Sequence, residues 1–258
     1  MSPKASNNNP LLCSVKVTFD KDTDLNKYPF SLSIIKGLEE IKFPNQVTFF
    51  VGENGTGKST ILEAIAYNSG FGLEGGSKNI TFKTSYENIY EGTKKFADCL
   101  TLSWTTKAKD GYFFRAESFY NVANYIDYLD RECGGVAYKP YGGKSLHHQS
   151  HGESFFSFFT NRMNKGGFFI LDEPEAALSP QRQLSLLVIM QQLCKNSNTQ
   201  FIIATHSPIL LAYPNATIYS CDDKQLQKIS YTETEHYKIT KSFLNNPDLY
   251  LKNLFSED

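Results

Sequence analysis

The sequence has no excess of charge of either sign: 26 Lys+Arg stand against 27 Asp+Glu over 258 residues, a formal net charge of −1. No global field draws such a chain to nucleic acid or to an anionic membrane, and any contact of that kind must be local. Cysteine is scarce and scattered. Cys13, Cys99, Cys133, Cys194 and Cys221 are odd in number and form no C-x-x-C pair, which argues against a disulfide framework and a zinc ribbon and fits a reducing cytoplasm. No window approaches the roughly 18 apolar residues that span a bilayer, so no membrane insertion is expected. Met1 to Pro10 is polar, carries a run of three asparagines and lacks the apolar core of a signal peptide; it reads as a loose tail. There are no heptads, internal repeats or low-complexity linkers.

What the chain does have is a 40% hydrophobic content, enough to bury a substantial core in one compact unit. Val15 to Phe19 alternates apolar and polar and reads as a strand, with a second near Ser31 to Ile35. Gln46 to Val51 is a strong strand signal that ends at Gly52, and a helical spacing follows from Ser59 until the glycines at Gly70. Residues 72–149 are mixed and are expected to form an inserted lobe, with strands at Thr101 to Trp104 and Tyr112 to Phe114, a helix at Val122 to Leu129, and a mobile Gly- and Tyr-rich loop from Cys133 to Ser145. Glu153 to Met163 reads as a helix and Phe168 to Leu171 as a buried strand. Ser179 and Pro180 look like the N-cap and first residue of a helix reaching Cys194, before another strand at Phe201 to Thr205. Short apolar strands alternating with helices imply an α/β fold whose mostly parallel sheet is covered by helices on both faces.

Gly52-Glu53-Asn54-Gly55-Thr56-Gly57-Lys58-Ser59 matches G-x-x-x-x-G-K-[ST] between an expected strand and an expected helix, which is the context the motif requires. Glycines let the backbone wrap a phosphate. Amides from Gly52, Asn54, Gly55, Thr56, Gly57 and on to Thr60 supply partial positive charge, Lys58 reaches the outer phosphates, and the Ser59 hydroxyl ligates Mg²⁺. A second G-K-S at Gly143-Lys144-Ser145 is set aside, because Tyr138 stands where its first glycine belongs and no apolar strand leads into it.

Phe168-Phe169-Ile170-Leu171-Asp172-Glu173 delivers two acids to the carboxyl edge of a parallel sheet, where ligands bind. There Asp172 suits a Mg²⁺ ligand, direct or through water, and Glu173 suits the base that orients and polarises an attacking water. Phe201-Ile202-Ile203-Ala204-Thr205-His206 repeats the design with one histidine, placed to sense or stabilise a terminal phosphate. His147, His148 and His151 have no thiol near them, and the nearest acid, Glu153, opens the next helix, so no metal is assigned there.

With these motifs in chain order, the sequence resembles the ABC ATPase superfamily. Between the two halves of the site lies Gln149-Ser150-His151-Gly152-Glu153-Ser154, similar to the ABC signature in position and in its Ser-x-Gly-acid pattern, with Glu153 where the family usually has glutamine and His151 where it has glycine. The stretches Val47 to Thr60, Phe114 to Asn121, Ser150 to Phe156, Ile170 to Gln183 and Phe201 to Tyr213 are similar, more narrowly, to small soluble bacterial ATPases of an AAA/ABC-like kind. The resemblance implies a P-loop NTPase fold, ATP and Mg²⁺ as ligands, ATP hydrolysis, and a head-to-tail homodimer in which Ser150, Gly152 and Glu153 act on the partner's nucleotide. Ser179 stands where the family carries an inter-subunit aspartate. Gly111 to Glu117 stands where it carries a Mg²⁺-contacting glutamine; either Glu117 substitutes or Arg115 meets phosphate.

Three functions stay open on this basis: an ATP-driven dimerisation switch controlling a separate effector, the nucleotide-binding subunit of an ABC transporter, and a nucleotide-gated binding module with little turnover. The departures from the ABC pattern and the acid at Glu173 favour the switch. The absence of heptads between Lys58 and Ser150 speaks against long coiled-coil arms. Neither the effector nor any nucleic-acid contact is legible.

Overall fold

The computed structural model describes residues 9–256, apart from 79–89, 133, 135–136, 140–142, 144, 146–156, 158 and 164–165. Its centre is a six-stranded sheet in the order β5 (Gly111–Arg115), β6 (Phe168–Asp172), β7 (Gln200–Ala204), β3 (Val47–Val51), β8 (Thr217–Ser220) and β9 (Gln227–Ile229). The first five run parallel and β9 closes the edge antiparallel. Every residue of β3, β5, β6 and β7 is buried, as expected for parallel strands covered on both faces.

The period of two divides these strands between two cores. Val47, Phe49, Tyr112, Phe114, Phe169, Leu171, Phe201 and Ile203 face one side. They pack there with α4 (Phe119–Glu132), α5 (Pro180–Asn196), the short α6 (Pro208–Leu211) and the helical turns around Phe159. Phe50, Phe113, Phe168, Ile170, Ile202 and Ala204 face the other side, onto α2 (Lys58–Asn68). Beyond α2 lies a three-stranded antiparallel sheet, β2 (Glu40–Lys42), β1 (Leu12–Val17) and β4 (Leu100–Trp104), in that order. Helix α2 is thus held between two sheets, which explains why its residues from Thr60 to Ala66 are buried all round instead of along one stripe. The fully buried Gln200 ties the layers together: its Oε1 accepts the Leu12 amide at 2.7 Å and its Nε2 donates to the Leu12 carbonyl at 3.0 Å.

The structure moves two expected strands. The first runs from Leu12 to Val17 and stops before Phe19. Ser31 to Ile35 is no strand: Ser33–Lys36 forms one helical turn, α1, because the adjacent Ile34 and Ile35 are both buried, which a half-exposed strand does not allow. The stretch 72–149 supplies α3 (Glu91–Asp98), β4 to the small sheet and β5 to an edge of the large one. Beyond Thr205 the structure adds α6, β8, β9, α7 (Glu235–Asn245) and α8 (Pro247–Phe255). Among the described residues no helix is long and apolar enough to cross a membrane.

Candidate functional site

The chain leaves β3 at Val51 and turns into a loop that only glycine tolerates at two points. Gly52 has φ 142° and a Cβ there would lie 2.8 Å from Asp222 Oδ1; Gly57 has φ 104° and a Cβ would lie 2.9 Å from Ile34 Cγ2. The loop is pressed between α1 and the end of β8, and it hands over to α2 at Lys58. Asp222 Oδ1 accepts the Glu53 amide at 2.7 Å, fixing the loop from below. Lys58 Nζ donates to the carbonyls of Gly52 at 2.6 Å and Glu53 at 2.9 Å. Burial lowers the Lys58 pKa, while Cys221 and the carboxylates of Glu173, Asp172 and Asp222 work the other way.

Strand β6 neighbours β7, which neighbours β3, so the acids at the end of β6 reach the same edge as the loop. Ser59 Oγ donates to Asp172 Oδ1 at 3.1 Å. Two hard oxygens at that separation match neighbouring corners of the octahedron Mg²⁺ prefers, whose edge is about 3.0 Å for ligands at ~2.1 Å. The residues therefore fit the ion. Burial raises the Asp172 carboxyl to about 7, with Arg115 the leading opposing influence. Glu173 adopts the left-handed region at φ 51°, unusual for a residue with a Cβ, and its amide still donates to the Ala204 carbonyl at 3.0 Å. Its side chain, 41% exposed, joins the lining of a cavity of about 390 Å³ with Asn54, Gly55, Lys58, Ser59 and Thr60.

The histidine expected after β7 stands opposite. His206 Nε2 lies 3.7 Å from Glu173 Oε1, beyond hydrogen-bond distance, while its backbone amide donates to Glu175 Oε1 at 2.6 Å. Its Nδ1 is 2.8 Å from Nε2 of His236 on α7. Burial holds both rings below the usual histidine range.

Several participants had no sequence signal. His236 and Asp222 are two, and Tyr28 and Glu63 two more. The Tyr28 hydroxyl is 2.9 Å from Thr60 Oγ1 and its ring lines the cavity. Arg115, 92% buried as its 8% exposure implies, does not line the cavity; Glu117 does. The guanidinium instead reaches Glu63 at 2.9 Å, Glu117 at 3.2 Å and the Leu73 carbonyl at 3.1 Å, with its Nε 3.9 Å from Asp172 Oδ2. Thr93 donates to the other oxygen of Glu63 at 3.2 Å. Ser179 is exposed at the start of α5 and its side chain makes no cap hydrogen bond. Ser150, Gly152 and Glu153 lie outside the described residues, as do His147, His148 and His151. A larger cleft of about 680 Å³ beside the 20–30 loop is lined by the acids Asp20, Asp22, Asp24, Glu91 and Asp98 against Lys27 and Lys95, a net negative surface, and the smaller cavity is the better site for an anion.

Fold and site together define the class, an α/β fold whose mostly parallel sheet brings a G-x-x-x-x-G-K-S loop and an acidic strand end to one edge. The family described as "AAA domain, putative AbiEii toxin, Type IV TA system" matches residues 156–212, from the helical turns before β6 to the end of α6. Among solved structures, the chain is similar to cbiO1 from Clostridium perfringens, part of the ABC transporter complex cbiONQ. The identity is 17%, the TM-score 0.48, and 95% of this chain and 99% of that chain are covered. It is also similar to the SMC head domain from Thermotoga maritima, at 16% identity and TM-score 0.41, covering 85% and 98%. At such identities and scores no property of those proteins transfers to this chain. No curated protein matches the sequence.

Proposed function

We propose that this chain binds ATP with Mg²⁺, hydrolyses it, and works as an ATP-driven dimerisation switch for a separate effector. The observation that carries the reading is the contact at 3.1 Å between the buried Asp172 and Ser59, which lines the cavity together with Lys58 and Glu173. The loop amides and the N-terminus of α2 bind the phosphates, and Lys58 exchanges its hydrogen bonds to the loop carbonyls for phosphate oxygens. Ser59 and Asp172 hold Mg²⁺, which supplies positive charge to the outer phosphates when bound. The Glu173 carboxylate takes a proton from the attacking water as the new P–O bond forms and the bond to the bridging oxygen breaks, releasing ADP and phosphate. His206 donates to the terminal phosphate from the far side. Ser150 and Gly152 complete the site of a second copy, which makes ATP the adhesive between subunits.

Glu173→Gln tests this. The amide keeps size and reach but removes the base, so turnover falls about 10²- to 10⁴-fold while nucleotide affinity measured by calorimetry is retained. With ATP and Mg²⁺ the variant accumulates as a species of twice the monomer mass in light scattering, and with ADP it does not. Wild-type turnover in the variant would remove Glu173 from the chemistry. An inactive variant that stays monomeric at saturating ATP would leave the ATPase and refute the switch. Ser150→Arg is the companion: monomeric ATP binding intact, dimerisation and turnover lost.

A further inference from the structure

The contact between His206 Nδ1 and His236 Nε2 at 2.8 Å is a hydrogen bond between two ring nitrogens, so one proton lies between them. In the neutral pair only two arrangements exist. If His206 donates, His236 must carry its own proton on Nδ1, a buried atom with no hydrogen-bond partner, and His206 Nε2 turns a lone pair towards the Glu173 carboxylate 3.7 Å away. That leaves a buried donor unsatisfied and sets a lone pair against an anion. If His236 donates, His236 Nδ1 is left as a buried acceptor without a partner, and the proton sits on His206 Nε2, which is also buried without a hydrogen-bond partner but faces the Glu173 carboxylate 3.7 Å away. Each arrangement leaves one buried donor without a partner, so the choice falls to the carboxylate, which attracts a proton on His206 Nε2 and repels a lone pair there, and it selects the second arrangement. The backbone of His206 is meanwhile anchored by Glu175, so the hydrogen bond from His236 sets the one freedom left to the residue, its ring orientation and tautomer.

We infer that His236 is a positioning residue that locks His206 as the Nε2–H tautomer, its proton directed towards Glu173, which lines the cavity. The functional half of this inference rests on the ATPase reading; the tautomer half does not. His236 lies on α7, whose first turn is capped by the Thr234 side chain accepting the Tyr237 amide at 3.3 Å, so a helix far along the chain from the phosphate loop sets the chemistry at its edge. The charged groups facing the pair are Glu173, Lys58 and Glu53 around His206, and Asp222, Lys58, Glu53 and Glu235 around His236; burial is the largest influence on both rings and keeps them neutral at pH 8.

The test uses the full chain labelled with ¹⁵N-histidine at pH 8. Long-range proton–nitrogen correlation spectra, with the His206 signals identified by their loss in His206→Gln, are expected to show Nε2 protonated and Nδ1 as a hydrogen-bonded acceptor. His236→Ala should relax His206 to a mixture of tautomers. His236→Gln, whose amide nitrogen reaches the same place, should restore the single form. In ATPase assays kcat falls about 10-fold in His236→Ala, the scale of one hydrogen bond, with KM changed by less than about 2-fold, and most of the loss is recovered in His236→Gln. A wild-type His206 protonated on Nδ1, or a tautomer unchanged by His236→Ala, overturns the lock. A lock present in the spectra with kcat unaffected in both variants overturns its catalytic half. Wild-type protein without ATP turnover sinks the ATPase reading, and the spectra then decide the tautomer by themselves.

Discussion

The two flanks of the candidate site are built in opposite ways. The phosphate loop is one contiguous segment, Gly52 to Thr60, whose main ties are its own: Lys58 to the Gly52 and Glu53 carbonyls, and Thr56 Oγ1 to the Glu53 carbonyl at 2.9 Å. The carboxylate and histidine flank draws on Glu63, Arg115, Asp172, Glu173, Glu175, His206 and His236, residues of five separate segments held by ion pairs, hydrogen bonds and a ring contact. A contiguous loop keeps its shape when one side chain changes, because backbone φ angles and flanking elements define it. An assembled flank loses its partners together. The phosphate side should therefore lose function without losing fold, whereas removing the buried cation that ties the acidic side together should cost both.

The largest effect expected is on the assembled flank. Arg115→Ala leaves the buried carboxylates of Glu63 and Asp172 without their cation, which for a broken buried pair costs about 3–5 kcal/mol. In a chain of this size that lowers the thermal midpoint by roughly 6–20 °C in calorimetry. A midpoint within a degree or two of wild type would show that water reaches these acids and that the flank is not the cooperative unit described above. Next comes Lys58→Ala, expected to weaken ATP binding about 100-fold or more through loss of the charged donor in the cradle. Its circular dichroism and thermal midpoint should stay close to wild type; an unfolded Lys58→Ala protein would erase the contrast between the flanks.

Asp222 is the long-range tie of the phosphate loop's backbone, its carboxylate accepting the Glu53 amide across 169 positions of sequence. Removing one such hydrogen bond in Asp222→Ala should reduce ATP affinity about 3- to 10-fold, the scale of roughly 1 kcal/mol, as read by isothermal titration. A loss as large as that of Lys58→Ala would mean that the loop, too, is assembled from outside.

The smallest effect is a slope. Because burial holds His206 and His236 below their ordinary 6.5, the folded chain binds these protons less tightly than the unfolded chain. Stability from the pair is therefore complete above pH 6.5 and declines as the pH falls through 6.5 towards the lower folded-state values, levelling off beneath them. A double His206→Gln, His236→Gln variant should show a flatter fall of thermal midpoint between pH 8 and pH 5. An unchanged slope would indicate rings as well hydrated as surface histidines.

The short apolar strand runs of β3, β6 and β7, the turn from Val51 into α2 and the acid pair closing β6 were legible in the sequence, because each depends on residues within a short span: β-branched and aromatic residues in a run, a glycine where φ is positive, an apolar run that ends in charge. Ser31 to Ile35 misleads, because five residues are too few to tell a strand from one helical turn packed under Gly57. Only the tertiary structure decided that Arg115 turns away from the cavity to Glu63, that Tyr28 reaches Thr60, and that His236 meets His206. Those contacts follow from the strand order β6-β7-β3-β8 and from where α7 lands after β9. Hydrogen bonds between strands bring distant residues within ångströms of one another, and a histidine 30 positions from its partner carries in its own neighbourhood no periodicity, cap or motif that announces the meeting.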